Sequence, residues 1–178
     1  MTTSPPQPRR ALLIDDLAQL AEQLRTAGQP YAICDALEAL VGQVIGHRLF
    51  TIMRFDAARA EVERVHSSMP SVYPLGGRKK KADTNWADHV LHDMKVFRGT
   101  TSDDIRAAFD DHKTILGLGL GSIINIPIVF QGRCLGTMNL CHDAGWYRPD
   151  DERTGVLLGT FLIPVLLGAT NGQPRRLA

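Results

Sequence analysis

The distribution of hydrophobic and polar residues predicts helices at both ends of the chain and strands between them. Apolar side chains recur at steps of three and four through residues 10–26, and again between Pro30 and Gly46. This spacing is typical of one face of an amphipathic helix. A third helix begins at Pro149, where three acidic residues occupy the first turn, and it extends to about Gly168.

Four segments rich in β-branched and aromatic residues predict two hairpins. The segments are residues 49–55 paired with 61–68, and residues 122–130 paired with 133–141. Only Gln131 and Gly132 separate the strands of the second hairpin. A two-residue connection with Gly in second place suits a type I′ turn, which needs positive φ angles. We also predict a brief strand over residues 95–99 and short helices over residues 85–94 and 101–109.

Polar residues interrupt the strands of the second hairpin, although those strands are otherwise apolar enough to be buried. They are Ser122, Asn125, Thr137 and Asn139. A buried amide must be hydrogen-bonded, whether by protein, water or a ligand. Asn125 and Asn139 are therefore candidates for ligand contacts. The alternative is that they form hydrogen bonds with neighbouring loops.

The irregular segment between the hairpins is predicted to be a lid. Residues 69–83 contain two prolines and a Gly-Gly pair, and the predicted short helices follow them. If the long terminal helices cover one face of the sheet, residues 69–116 can cover the other face. Small-molecule sites tend to lie between such layers. The sequence therefore predicts a pocket between the sheet and this lid.

Length and charge limit the possible functions. The 178 residues suit one domain with a sizeable core, and we predict a single domain over residues 10–170, a disordered tail at 1–9 and a polar tail at 171–178. The net charge is +1, so no overall field favours nucleic acid or an anionic membrane. The basic run at residues 78–81 is interpreted as a solvated loop, because no aromatic or second basic cluster accompanies it.

Cysteine content and the apolar segments favour a cytoplasmic protein. Three cysteines without a close pair argue against a disulfide scaffold. The first residues lack the apolar region of a secretory signal. The longest apolar run, residues 155–170, is shorter than the ~20 residues of a spanning helix, and Pro164 interrupts it.

Three motifs, in this order, resemble those of the GAF domain family. They are SIINIP at residues 122–127, Gly132 followed by LGTMNL at 135–140, and YRPDDE at 147–152. The segment LFTIMRFD at residues 49–56 is similar to the first strand of phytochrome-type GAF domains. The resemblance covers roughly residues 31–168. It implies an α+β fold: a mixed, mostly antiparallel sheet of five or six strands, with terminal helices on one face and the lid on the other.

The resemblance and the strand alternation together define a candidate ligand site. By likeness to the phytochrome-type strand, Met53 takes a pocket-facing position. Tyr73 and Trp86 can stack on a planar ligand or simply seal the lid against the sheet. His89, one helical turn after Trp86, is expected at the mouth of the pocket, where an imidazole can donate or accept a hydrogen bond. The predicted ligand-binding residues are Met53, Tyr73, Trp86, His89, Asn125, Thr137 and Asn139.

Three better-defined GAF functions fit these residues poorly. Bilin attachment needs a lid cysteine, and residues 69–116 contain none; Cys141 is followed by a histidine but ends a strand. The cyclic-nucleotide pattern needs a lysine after Asn139, and none occurs before Pro149. Free methionine-(R)-sulfoxide reductases need thiolates that face the pocket. Cys134 and Cys141 are the only candidates, and seven positions along one strand are expected to place them on opposite faces.

Histidines in the predicted lid raise the question of a metal site. His89, His92 and Asp93 lie near one helical face, and His112 follows. Imidazoles at i and i+3 can share a metal, but no HExxH or CxxC motif accompanies them. We therefore predict no metal, and we interpret these residues as polar edges of the lid.

These observations predict a small-molecule-binding or sensory GAF domain that acts in signalling or regulation, with its ligand and any cofactor unidentified. A homodimer through the first helix and residues 155–168 is expected, because the last helix is apolar nearly all round. No nucleic-acid or membrane partner is expected. The alternatives are an enzyme of the free methionine-(R)-sulfoxide reductase type and a purely structural dimerisation module whose pocket is filled.

Overall fold

The computed structural model describes residues 9–81 and 84–168, so the predicted tails lie outside it apart from Arg9. The described residues form one six-stranded sheet in the order β3-β2-β1-β6-β5-β4, and all its neighbouring strands are antiparallel. The strands are β1 (Leu49–Asp56), β2 (Glu61–Ser67), β3 (Arg78–Lys80), β4 (Phe97–Gly99), β5 (Ser122–Phe130) and β6 (Arg133–His142). This sheet confirms the predicted α+β class.

Helices precede, interrupt and follow the sheet. They are α1 (Ile14–Arg25), α2 (Tyr31–Val44), α3 (Asn85–Ala87) with a π-helical continuation (Asp88–His92), α4 (Ser102–Ala108), α5 (His112–Gly117), α6 (Pro149–Gly159), a 3₁₀ turn (Thr160–Leu162) and α7 (Ile163–Gly168). The last predicted helix is thus divided. Pro164 has no N–H to bond the carbonyl of Thr160, which accounts for the tighter winding before it.

The turn of the second hairpin has the predicted geometry. Gln131 and Gly132 have φ angles of 50° and 70°. Positive φ at both central residues is the mark of a type I′ turn, so that prediction is confirmed. The turn pairs Phe130 with Arg133, and one extra residue in β6 then shifts the register so that Asn125 lies directly opposite Asn139.

The basic run is not the solvated loop that the sequence predicted. Arg78–Lys80 is strand β3, which pairs with β2 and forms one edge of the sheet. All three of its residues are exposed, so the strand lacks the alternation of apolar and polar residues that identifies a half-buried strand. Lysines on an edge strand discourage pairing with another sheet.

The sheet has two differently covered faces. The helix face packs on α1, α2, α6 and α7, and its strand residues include Phe50, Ile52, Ile124, Ile126, Met138 and Leu140. The lid face packs on residues 69–116, and its strand residues include Leu49, Met53, Ile123 and Cys141. Adjacent residues of β1, β5 and β6 therefore contribute to opposite faces. No helix within the described ranges is both long enough and apolar enough to cross a bilayer.

Candidate ligand-binding site

A cavity of about 90 Å³ lies between the lid face and the lid, and we call it the lid cavity. Strands β1, β2, β5 and β6 supply its floor, and the lid supplies its roof. Six of the seven predicted site residues line it: Met53, Tyr73, Trp86, Asn125, Thr137 and Asn139. The sheet and the lid bring these side chains together from five separate segments.

A chain of hydrogen bonds crosses the floor of the lid cavity. The indole Nε1–H of Trp86 donates to Asn125 Oδ1 at 3.0 Å. Asn125 Nδ2 donates to Asn139 Oδ1 at 2.7 Å, and Asn139 Nδ2 donates to Thr51 Oγ1 at 3.3 Å. Protein groups therefore meet part of the hydrogen-bonding capacity of both amides. These hydrogen bonds also tie the lid helix α3 to the sheet.

Three other polar atoms at the lid cavity have no hydrogen-bond partner. They are the hydroxyls of Tyr73 and Thr137 and the Nε–H of Arg64. These residues are 8%, 0% and 8% exposed. Within the described ranges only one further buried side-chain atom lacks a partner, Arg54 Nε, and Arg54 does not line this cavity. Buried polar groups are normally paired, so the concentration of unpaired groups here marks the site.

Three cations and one carboxylate line the cavity. Lys79 Nζ pairs with Asp111 Oδ2 at 2.8 Å, which leaves Lys81 and Arg64 without a carboxylate partner among the described residues. Lys81 Nζ instead lies 4.8 Å from the centre of the Trp86 ring. Burial lowers the pKa of both unpaired cations, because the charged form loses hydration. The site therefore has a positive charge excess.

Arg64 is held in place by its surroundings. Its Nη1 donates to the carbonyl of Pro74 at 3.0 Å, and its guanidinium carbon lies 5.0 Å from the centre of the Tyr73 ring. Gly77 allows this packing, because an added Cβ there would lie 2.9 Å from Arg64 Nη1. A cation thus covers one face of the Tyr73 ring, as Lys81 does for Trp86. The predicted stacking of a planar ligand is correspondingly restricted.

His89 does not line the lid cavity, contrary to the expected position at its mouth. Its Nε2 lies 3.0 Å from the carbonyl oxygen of Val96. The helix is π-wound from Asp88 onward, so the simple α-helical relation of His89 to Trp86 fails. Within the described ranges, no three His, Cys, Asp or Glu side chains are grouped closely enough to hold a metal ion.

The two strand cysteines lie on the same face, which corrects the expectation of opposite faces. Val129 pairs with Cys134 and Ile128 with Gly136, so Leu135 is an extra residue that forms a bulge in β6. Cys134 consequently packs with the lid-face cluster that contains Cys141. Burial raises the pKa of Cys141 to about 12, and burial also raises the pKa of Cys134. Both thiols therefore resist forming the reactive thiolate.

Sequence reasoning missed several residues of the lid cavity. The further polar side chains that line it are Thr51, Arg64, Lys79, Lys81, Asp111 and Cys141. Alternation in residues 61–68 would place Arg64 and His66 on one face. A bulge at Val65 separates them instead, and His66 Nε2 lies 2.5 Å from Glu38 Oε2 on the helix face. No sequence signal marks this bulge, whereas the alternation of β1 could have identified Thr51.

Comparison with solved structures identifies the fold. The GAF domain of a phosphoenolpyruvate-protein phosphotransferase from Coxiella burnetii superposes with a TM-score of 0.72 at 16% identity, over 88% of this chain and 94% of that one. The chromophore-binding domain of a bacteriophytochrome from R. palustris superposes with a TM-score of 0.65 at 14% identity, over 92% of this chain and 65% of that one. The GAF domain of a two-component sensor histidine kinase from Bacillus halodurans gives 0.62 at 14% identity, over 81% and 97%.

Sequence comparison adds nothing further: no protein-family model matches the chain, and no curated protein matches it significantly. At the identities found, likeness to the solved structures establishes the fold and not the function. The motifs at residues 122–127, 135–140 and 147–152, the sheet order and these superpositions agree. The chain has the fold of a GAF domain.

Proposed function

We propose that this chain is a small-molecule-sensing GAF domain that acts in signalling or regulation and binds its ligand in the lid cavity. The observation that carries the proposal is the group of buried, unpaired polar atoms on Arg64, Tyr73 and Thr137, three residues that all line one cavity. Leaving such groups unpaired costs stability. A ligand that pairs them would account for their presence.

The structural neighbours support a sensory role. They include GAF domains of a sensor histidine kinase and of a phosphotransferase, and the chromophore-binding domain of a bacteriophytochrome. The lid cavity is smaller than the ~300–1,000 Å³ that is usual for drug-sized ligands. A bulky ligand would therefore require the lid to move, and such movement would break the hydrogen bond from Trp86 to Asn125.

Native mass spectrometry tests this proposal. The protein is purified without denaturation, incubated with a low-molecular-mass metabolite extract and compared with two variants. Thr137→Ile adds volume at the lid cavity, and Thr154→Ile is the matched control because Thr154 lies in α6, away from the cavity. We expect a retained mass in the natural protein and the control that is absent from Thr137→Ile. No retained mass, or the same mass in all three proteins, would contradict the proposal.

The thiols argue against the enzymatic alternative. Reductases of the methionine-sulfoxide type depend on thiolates, and burial raises the pKa of both Cys134 and Cys141. Their shared face does not bring the two thiols together, because seven strand positions span roughly 20 Å. A sensory role needs neither thiol to react.

We further propose that the domain forms a homodimer through α1 and α6. Ile14 is 79% exposed on α1, and Val156 and Leu157 are 47% and 44% exposed on α6. Helix α1 packs beside the 3₁₀ turn that directly follows α6, so the two helices lie near one another. Burial of such side chains against a second copy would be favourable.

The dimer is tested by light scattering of a substituted protein. Leu157→Glu should halve the molar mass by placing a charge in the interface. Val129→Glu is the matched control, because Val129 is 37% exposed at the end of β5, close to the hairpin turn. A monomeric natural protein, or a dimer that survives Leu157→Glu, would contradict the proposal.

A further inference from the structure

We infer that the ligand of the lid cavity is a small organic anion, a carboxylate or phosphate of few heavy atoms, bound by Arg64, Tyr73 and Thr137. This inference rests on the proposed function, in which the lid cavity binds a ligand. It adds the charge and the size of that ligand, which the fold does not specify.

The unpaired atoms favour a ligand that accepts hydrogen bonds. Arg64 Nε–H can only donate, and the hydroxyls of Tyr73 and Thr137 can each donate one hydrogen bond. Carboxylate and phosphate oxygens accept without donating, so one anionic group can pair several of these donors. A cationic ligand would leave the Nε–H of Arg64 unpaired.

The charges of the site favour an anion as well. Arg64 has no carboxylate partner among the described residues, and Lys79 and Asp111 neutralise one another. A planar guanidinium matches the geometry of carboxylate and phosphate groups. Burial lowers the pKa of Arg64, which means that its charge lacks stabilisation that a bound anion would provide.

Arg64 is already positioned for this role. The backbone N–H of Arg64 donates to the carbonyl oxygen of Gly77 at 2.9 Å, and the N–H of Gly76 donates to the carbonyl oxygen of Arg64 at 2.8 Å. Both backbone groups of Arg64 thus hold the lid loop against β2. Its Nη1 is used by Pro74. The Nε–H therefore stays oriented without a ligand, and binding would require little reordering.

The volume of the cavity limits the ligand to a few heavy atoms. Its 90 Å³ exceeds the space that one water molecule needs but is far below that of a drug-sized pocket. Trp86, Asn125 and Asn139 are hydrogen-bonded to one another, which ties the lid to the floor. A small acid fits this description without displacement of the lid.

Binding of a charge-sorted compound library tests the inference. The library contains carboxylates, phosphates, and neutral and cationic analogues of matched size, and dissociation constants are measured by ligand-observed NMR titration. The variants are Arg64→Gln, Tyr73→Phe and Thr137→Val. Arg54→Gln is the matched control, because Arg54 also has a buried unpaired Nε but lies outside the cavity.

We expect anions to bind best, with affinity weakened about 100-fold by Arg64→Gln and about ten-fold by each hydroxyl variant. Arg54→Gln should bind like the natural protein. The lower of the dissociation constants for carboxylates and phosphates then shows which of the two groups the site prefers. Tyr73→Phe and Thr137→Val change single atoms, so they keep the inference testable if Arg64→Gln does not fold.

Two results would overturn the inference, and they differ in what else they affect. Neutral or cationic compounds that bind as tightly as the anions, or anion binding unaffected by the three cavity variants, would refute the anionic ligand and leave the proposed sensory function intact. Failure of every class to bind would contradict both the inference and the proposed function.

Discussion

The helix face and the lid face use alternate residues of the same strands, yet they differ in how completely their polar groups are paired. On the helix face these strands present side chains such as Ile52, Ile126 and Met138, each fully buried. On the lid face they present Asn125, Thr137 and Asn139. Three of the four unpaired buried atoms in the described ranges lie at the lid cavity.

By this difference the helix face is the structural scaffold and the lid face carries the candidate site. An apolar face gains stability from burial alone, whereas buried polar groups gain it only when they are paired. The helix face can therefore be understood without any ligand. The chain of hydrogen bonds from Trp86 to Thr51 accounts for part of the lid face, and the remaining buried polar groups have no protein partner.

The largest expected difference concerns core truncation on the two faces. Ile126 is fully buried, and an added Cβ on Gly155 would overlap its Cδ1, so little space exists around it. Ile126→Ala should lower the free energy of unfolding by about 4 kcal/mol. Met53→Ala should cost about 2 kcal/mol, because Met53 already borders a cavity. Urea unfolding measures both, and a greater loss for Met53→Ala would contradict the comparison.

A smaller effect concerns acid sensitivity of the helix face. His142 stacks on Trp146 at 3.6 Å, and burial lowers the pKa of His142 to about 4 from its ordinary 6.5. The unfolded state therefore binds the proton first as the pH falls. Stability contributed by the neutral imidazole is present above pH 6.5 and is lost progressively toward pH 4.

The variant His142→Phe should keep the stacking and remove this titration. Between pH 7 and pH 5 the natural protein should lose about 2 kcal/mol more unfolding free energy than the variant does. The measurement is urea unfolding of both proteins at each pH, so that other titrating groups cancel in the difference. Equal pH dependence of the two proteins would show that His142 titrates alike in the folded and unfolded states.

Sequence patterns could predict the sheet and much of the floor of the site. Strand alternation placed Thr51, Met53 and Phe55 on one side of β1, and the resemblance to the phytochrome-type strand turned that side toward the pocket. The turn at residues 131–132 gave the pairing of β5 with β6. These features depend on local rules: a period of two in strands and positive φ in a tight turn. The position of Trp86 in the lid, above the sheet, followed from the predicted layering of sheet and lid.

The remaining features depend on packing that no local pattern encodes. Single extra residues at Val65 and Leu135 moved Arg64 away from the face of His66 and returned Cys134 to the lid face. The π-helical winding after Asp88 displaced His89 from the expected mouth of the pocket. A bulge or a change of helical winding shifts every later side chain, so alternation fails beyond it.

Buried polar atoms without protein partners concentrate on the lid face: three of the four in the described ranges belong to residues that line the lid cavity, and the fourth is Arg54 Nε. Tyr73 and Tyr147 provide a matched pair for this claim. Both are buried, and the hydroxyl of Tyr147 donates to the carbonyl of Gly46 at 3.3 Å, while that of Tyr73 has no partner. Conversion of each to Phe removes only the hydroxyl.

The most direct test is the free energy of unfolding of Tyr73→Phe and Tyr147→Phe, each refolded from denaturant so that small molecules are removed. We predict that Tyr147→Phe loses about 1 kcal/mol through its lost hydrogen bond. Tyr73→Phe should be as stable as the natural protein, or more stable by up to about 1 kcal/mol. Equal losses in the two variants, or a greater loss for Tyr73→Phe, would contradict the claim.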